Sequence, residues 1–141
     1  MNPFEEILGK YSPTPRSEAI TTSTEAIEEA IGFLLPDDYK KYLLNYKGFE
    51  HEIGEEYIHL WDINELIENN EDYLITNNFP FTIGIGDDRG GEFIALERLE
   101  NNEFRVILSP FLDTDPQFHV EIGKSFSDFL IRLENGIKWI D

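Results

Sequence analysis

An α+β fold in one domain, with a mostly antiparallel central sheet and helices packed around it, is what the order of hydrophobic periods predicts. Apolar residues first recur at helical spacing. From residue 57 they alternate through a run of strands with one helical insert, and they return to helical spacing in a last segment. Strands that follow one another across short turns rich in Gly, Asn and Asp pair as antiparallel neighbours, which argues against a doubly wound parallel sheet. The length fits one core: 141 residues remove about 68–70% of the unfolded surface from water on folding.

Residues 4–8 form a short helix, and Ser12-Pro13-Thr14-Pro15 breaks it into an extended connection; residues 1–21 read as an extension whose order the sequence leaves open. The first long helix starts at Thr22, with Glu25 at the capping-box position, and buries Ile27, Ala30, Ile31 and Leu34. Pro36 suits the first position of the next helix, which carries Tyr39, Tyr42, Leu43 and Tyr46 at helical spacing and stops at a left-handed Gly48. A loop follows, then a strand over 57–61. Asp62 caps a short helix with Glu65 in the capping box, burying Ile63, Leu66 and Ile67. A strand over 79–85 and another over 92–97 pair across the turn Asp87-Asp88-Arg89-Gly90-Gly91. A second turn at 100–103 leads to a strand over 104–108. Pro110 and Pro116 bracket a loop through Asp113-Thr114-Asp115, and the last strand covers 118–122. Ser125 opens the closing helix, with Phe126, Phe129, Leu130 and Leu133 buried and Gly136 beyond its end.

Composition narrows the chemistry. Twenty-nine acidic and eleven basic residues give a net charge of −18, which repels phosphates and anionic membrane surfaces and makes a cationic protein the natural counterpart. Between Gly48 and Asp88 there is no Lys or Arg, while eleven Asp and Glu residues fall there. The bland account is a solvated face that keeps the protein soluble. The absence of cysteine excludes disulfides and thiolate metal sites and fits a reducing compartment; with no secretion signal at the start and no apolar run of about 20 residues, the expectation is a cytoplasmic protein.

No catalytic constellation is legible. His51, His59 and His119 lie on different segments without metal-ligand spacing, and a polar-face or locally hydrogen-bonded role suits His59 and His119, both placed in strands. No Ser sits in a nucleophile elbow. The stretch Gly84-Ile85-Gly86-Asp87-Asp88-Arg89-Gly90-Gly91 imitates a phosphate loop, but it leads into a strand and carries two aspartates that repel phosphate, so it reads as a hairpin turn. Asp87, Asp88 and Glu92, or Asp113 and Asp115, could gather around Ca²⁺, yet neither stretch has an EF-hand order. No cofactor, no metal and no enzymatic activity are expected.

The run Ile31-Gly32-Phe33-Leu34-Leu35-Pro36-Asp37-Asp38-Tyr39, with Tyr42-Leu43 and Lys47-Gly48, resembles the hallmark of the SUKH superfamily, in the branch related to the fungal regulator of cell-wall glucan synthesis. The strand Ile83-Gly84-Ile85-Gly86-Asp87 with Gly91 after its turn, the strand over 92–96 and the closing Phe126-Ser127-Asp128-Phe129-Leu130 fall in the family's order, so the likeness spans about residues 22–134. The resemblance implies an α+β domain and a non-enzymatic binding protein. Bacterial members act as immunity proteins that occlude a cognate toxin, often a nuclease. The fungal branch implies the alternative, a regulatory or scaffolding module for an endogenous protein. An acidic inhibitor suits a basic nuclease, since opposite fields speed encounter. On that basis the partner is a toxin protein, with no direct contact to nucleic acid or membrane. The contact residues expected are Glu50, Glu52, Glu55 and Glu56 in the loop after Gly48, and Asp87, Asp88 and Glu92 at the glycine turn. Tyr57 and Trp61 serve as aromatic anchors where exposed.

Overall fold

The computed structural model of the chain describes residues 3–11, 13–16, 19–20, 22–113 and 115–139. Of the residues singled out above, Ser12 and Thr114 lie outside the described ones. Six strands, β1 (Phe49–Ile53), β2 (Glu56–Leu60), β3 (Thr82–Asp87), β4 (Glu92–Arg98), β5 (Phe104–Pro110) and β6 (Val120–Gly123), form one sheet in chain order. Every neighbouring pair is antiparallel, as short connections dictate. The described α-helices are α1 (Pro3–Leu8), α2 (Thr24–Ile31), α3 (Asp37–Asn45), α4 (Leu66–Asp72), α5 (Ile75–Asn78) and α6 (Phe126–Glu134). The α+β class and the antiparallel sheet stand as expected.

One face of the sheet receives α1, α3 and α6. Phe4, Tyr39, Tyr42 and Phe126 meet there at ring-centroid distances of 5.2–6.5 Å. Asp38 at the start of α3 accepts the Ser127 N–H and hydroxyl, both at 2.9 Å, and locks α3 to the first turn of α6. The opposite face is covered by α4 and α5 over β3. Asn70 accepts the Gly84 N–H at 2.7 Å and donates to the Gly84 carbonyl at 3.0 Å, so a buried side chain completes the backbone bonding where the β3–β4 register slips. Gly84 is required there: a Cβ would lie 2.6 Å from Ile75 Cδ1.

Several local expectations shift. Ser23, not Thr22, caps α2, accepting from the Ala26 N–H at 3.0 Å. The helix ends at Ile31, and the extended chain after Gly32 alternates, so Phe33 and Leu35 turn inward while Leu34 is 73% exposed and Ala30 lies on the open side. Pro36 sits one position before α3, as its N-cap. α3 stops at Asn45 because Tyr46 is drawn into extended pairing with Pro15, and the Lys47 N–H donates to the Thr14 carbonyl at 2.9 Å. Gly48 is therefore not a left-handed stop; a side chain there would strike the Leu60 carbonyl oxygen at 2.9 Å. Residues 79–81 precede β3, and Phe81 is exposed with a left-handed backbone. Asp115 caps a 3-10 turn at Pro116–Phe118, which delays β6 to Val120 and places His119 outside the strand. The N-terminal segment is part of the core, since Phe4, Ile7 and Leu8 are buried against the chain's far end.

Candidate interaction surface

Residues 49–60 form a hairpin, not the loop expected after Gly48. It reverses at Gly54, whose φ of 63° favours glycine. Its register sets Glu50 opposite His59 and Glu52 opposite Tyr57, and His59 in turn stands opposite Asp87 on β3. Side chains alternate across a strand, so Glu50, Glu52, Tyr57, His59 and Asp87 share one face. This is the face that α4 and α5 cover farther along, over β3, while β1 and β2 stay open.

These groups are wired together. Asp87 Oδ2 lies 3.0 Å from His59 Nδ1 and accepts the Trp61 indole N–H at 2.8 Å, while Asp87 Oδ1 accepts the Arg89 N–H at 2.8 Å. Burial opposes ionisation of Asp87, but the bonds from His59, Trp61 and Arg89 outweigh it and hold the carboxyl below its ordinary value. Arg89, held with positive φ in the turn, returns its guanidinium to Glu50 through two bonds of 2.6 and 2.9 Å, and Tyr57 donates its hydroxyl to the same carboxylate at 2.7 Å. Arg89 first and Tyr57 second push Glu50 down to about 2. The same bond, with partial burial, raises Tyr57. Among the described residues Glu52 has no ion-pair or side-chain hydrogen-bond partner, and it is exposed.

The nine expected contact residues thus divide. Glu50, Glu52, Tyr57 and Asp87 come together, with Tyr57 39% exposed. Trp61 lies beneath them at 2% exposure, so it braces Asp87 from inside and offers no surface anchor. Asp88 folds its carboxylate onto the Gly90 and Glu92 N–H groups as part of the turn. Glu55, at the hairpin tip, pairs with Lys138 at 3.2 Å. Glu56 and Glu92 point to the other face. Glu56 accepts the Trp139 N–H there, and burial followed by the Asp88 and Glu56 charges pushes Glu92 up. The seven carboxylates are not one continuous patch.

Sequence reasoning missed the aromatic continuation and the role of Arg89. The Trp61 ring stacks on Tyr73 at 6.0 Å and Tyr73 meets Phe111 at 4.6 Å, leading from the acidic face to Tyr73, 51% exposed, and to the fully exposed Leu112. Arg89 is the sole Lys or Arg between Lys47 and Arg98, a signal open to a reader who asks what one guanidinium does among so many acids. The glycine turn spends the N–H groups of Arg89, Gly90 and Glu92 on Asp87 and Asp88. Among the described residues no group of three or more His, Asp or Glu could hold a metal, and no helix is long and apolar enough to cross a membrane.

Residues 18–132 match the model of the SMI1 / KNR4 family (SUKH-1), and the chain belongs to that family. No curated protein matches it.

Proposed function

We propose that this SUKH-1 protein is a non-catalytic binding protein that neutralises a cognate toxin by stoichiometric occlusion, a basic nuclease being the class its charge fits best. One observation carries the reading: Glu50, Glu52 and Asp87 share an open sheet face with the exposed ring of Tyr57, in a chain of net charge −18. Such a face draws in a cationic surface and gives it an aromatic contact once docked. The titratable groups of the face bond to one another, which holds their charges in place for recognition. A regulatory module for an endogenous protein would use the same face. The two roles separate by co-expressing the product of the neighbouring gene: rescue from its toxicity with co-purification supports immunity. Survival unaffected by this protein, with growth or envelope defects on its deletion, supports regulation. For the surface itself, Glu50→Gln with Glu52→Gln is expected to slow association with that product by about tenfold at low salt, with the difference shrinking as salt rises. An unchanged on-rate removes this face from the contact.

A further inference from the structure

The sheet has two edges, and they are not equally guarded. β6 is four residues long, its register slips against β5 between Val106 and Ile107, and Gly123 is wedged under α6, where a Cβ would come within 2.7 Å of Phe129 Cα. Shortness and irregular register are ordinary protection against unwanted strand pairing. β1 is regular over all five residues and pairs with β2 alone among the described strands.

The hydrogen-bonding parity of β1 follows from its neighbour. The Trp61 N–H donates to the Ile85 carbonyl at 2.9 Å, so Trp61 and, two residues back, His59 direct their backbone groups toward β3. Glu56, Ile58 and Leu60 therefore face β1, where they engage Ile53, His51 and Phe49. That leaves the backbone groups of Glu50 and Glu52 on the outer edge. The Glu52 carbonyl meets its own His51 ring at 2.6 Å, and Tyr11 packs on that ring from the inner side. Among the described residues the Glu50 N–H and carbonyl and the Glu52 N–H have no such cover.

We propose that the β1 edge receives an extended segment of the partner as a seventh strand, one with Lys or Arg at alternate positions facing Glu50 and Glu52. This rests on the reading of the open face as the interaction surface and specifies how it is used. Backbone pairing supplies the attachment and the two carboxylates select the side chains opposite them. A second copy is disfavoured as the occupant: antiparallel β1–β1 pairing about His51 sets Glu50 against Glu52 twice. Lysines opposite Glu50 and Glu52 sit in hydrogen-bonded pairs, so their own backbone N–H groups are the ones used.

The test uses a blocked hexapeptide of alternating lysine and valine, and the same peptide N-methylated at the backbone nitrogens of its lysines. The first is expected to bind and to slow hydrogen exchange at the Glu50 and Glu52 amides, and the second to bind about fivefold more weakly, the size of the one hydrogen bond lost at the Glu50 carbonyl. Glu52→Pro removes an outward N–H together with the carboxylate and leaves the β1–β2 ladder untouched, so it is read against Glu52→Gln, which loses the charge alone; Glu52→Pro is expected to bind about fivefold more weakly than Glu52→Gln. No binding, equal affinity for the two peptides, or exchange protection away from β1 overturns strand addition. If methylation is without effect and Glu52→Pro binds no more weakly than Glu52→Gln, while Glu50→Gln with Glu52→Gln weakens binding, the acidic-face reading survives and the edge proposal falls.

Discussion

Strands β3 to β5 run between two layers, with five consecutive residues of β3 and four each of β4 and β5 buried whichever way they point, whereas in β1 only the two end residues are buried. The difference begins in composition: Thr82-Ile83-Gly84-Ile85-Gly86 is apolar or small at every position, while Phe49-Glu50-His51-Glu52-Ile53 puts its polar residues at the centre. A strand of the first kind is filler for a two-sided core. One of the second kind spends half its pleat on solvent and is free to carry recognition. One continuous sheet thus holds stability in its middle and its interaction chemistry at the β1–β2 end.

Aromatic truncation in each of the two regions is the sharpest way to break this comparison. Phe93 on β4 is buried between the rings of Phe79 and Phe111, and Phe93→Ala is expected to cost about 3–5 kcal/mol of unfolding free energy in urea titration. Tyr57 on β2 has one hydroxyl bond and a partly exposed ring, so Tyr57→Ala is expected to cost about 1 kcal/mol or less. Comparable losses at the two sites would mean that the hairpin is as much core as the centre.

Gly84→Ala probes the crowded side at smaller scale. The added Cβ presses on Ile75, Trp61 and the Asn70 oxygen, and about 1–3 kcal/mol of destabilisation is expected. Because Trp61 also supports Asp87, a lower affinity for the partner should accompany the loss of stability. Affinity unaltered at full occupancy of the folded state would uncouple the α4–α5 layer from the open face.

Much of this division was legible in the sequence, and its limits have physical causes. The closing helix, the capping box at Asp62 and Glu65, and the antiparallel pairing around the glycine turn follow from local rules that tertiary contacts did not override. β1 reads as a loop in the sequence because its centre is acidic and its apolar residues stand four apart, so alternation is invisible without the partner strand. Trp61 stands beside an apolar stripe, where a ring is more often core than surface, and the approach of α4 and Tyr73 makes it core. The nine contact residues split over two faces because register, not sequence proximity, sets which carboxylates meet: Glu55 and Glu56 adjoin Tyr57 in the chain yet engage Lys138 and Trp139.

The smallest expected effect compares two carboxyls on opposite faces of the sheet. Glu50 is held at about 2 against an ordinary 4.5, so the unfolded chain binds the extra proton first. Its contribution to stability is present above pH 4.5 and is lost as the pH falls toward 2. Glu92 is shifted the other way: any stability it contributes is present below 4.5 and is lost as the pH rises through its raised value. Glu50→Gln should therefore flatten the acid limb of stability against pH. Glu92→Gln should leave pH 4 little changed and make the protein more stable than the wild type at pH 7. Both effects are expected at about 1 kcal/mol or less, because the Glu50 pair is partly exposed and screened. Urea midpoints measured from pH 2.5 to 7.5 for the three proteins decide it. Parallel curves would show that the two carboxyls share one environment, whereas opposite slopes would assign the relieved charge to the packed face and the wired charge to the open one.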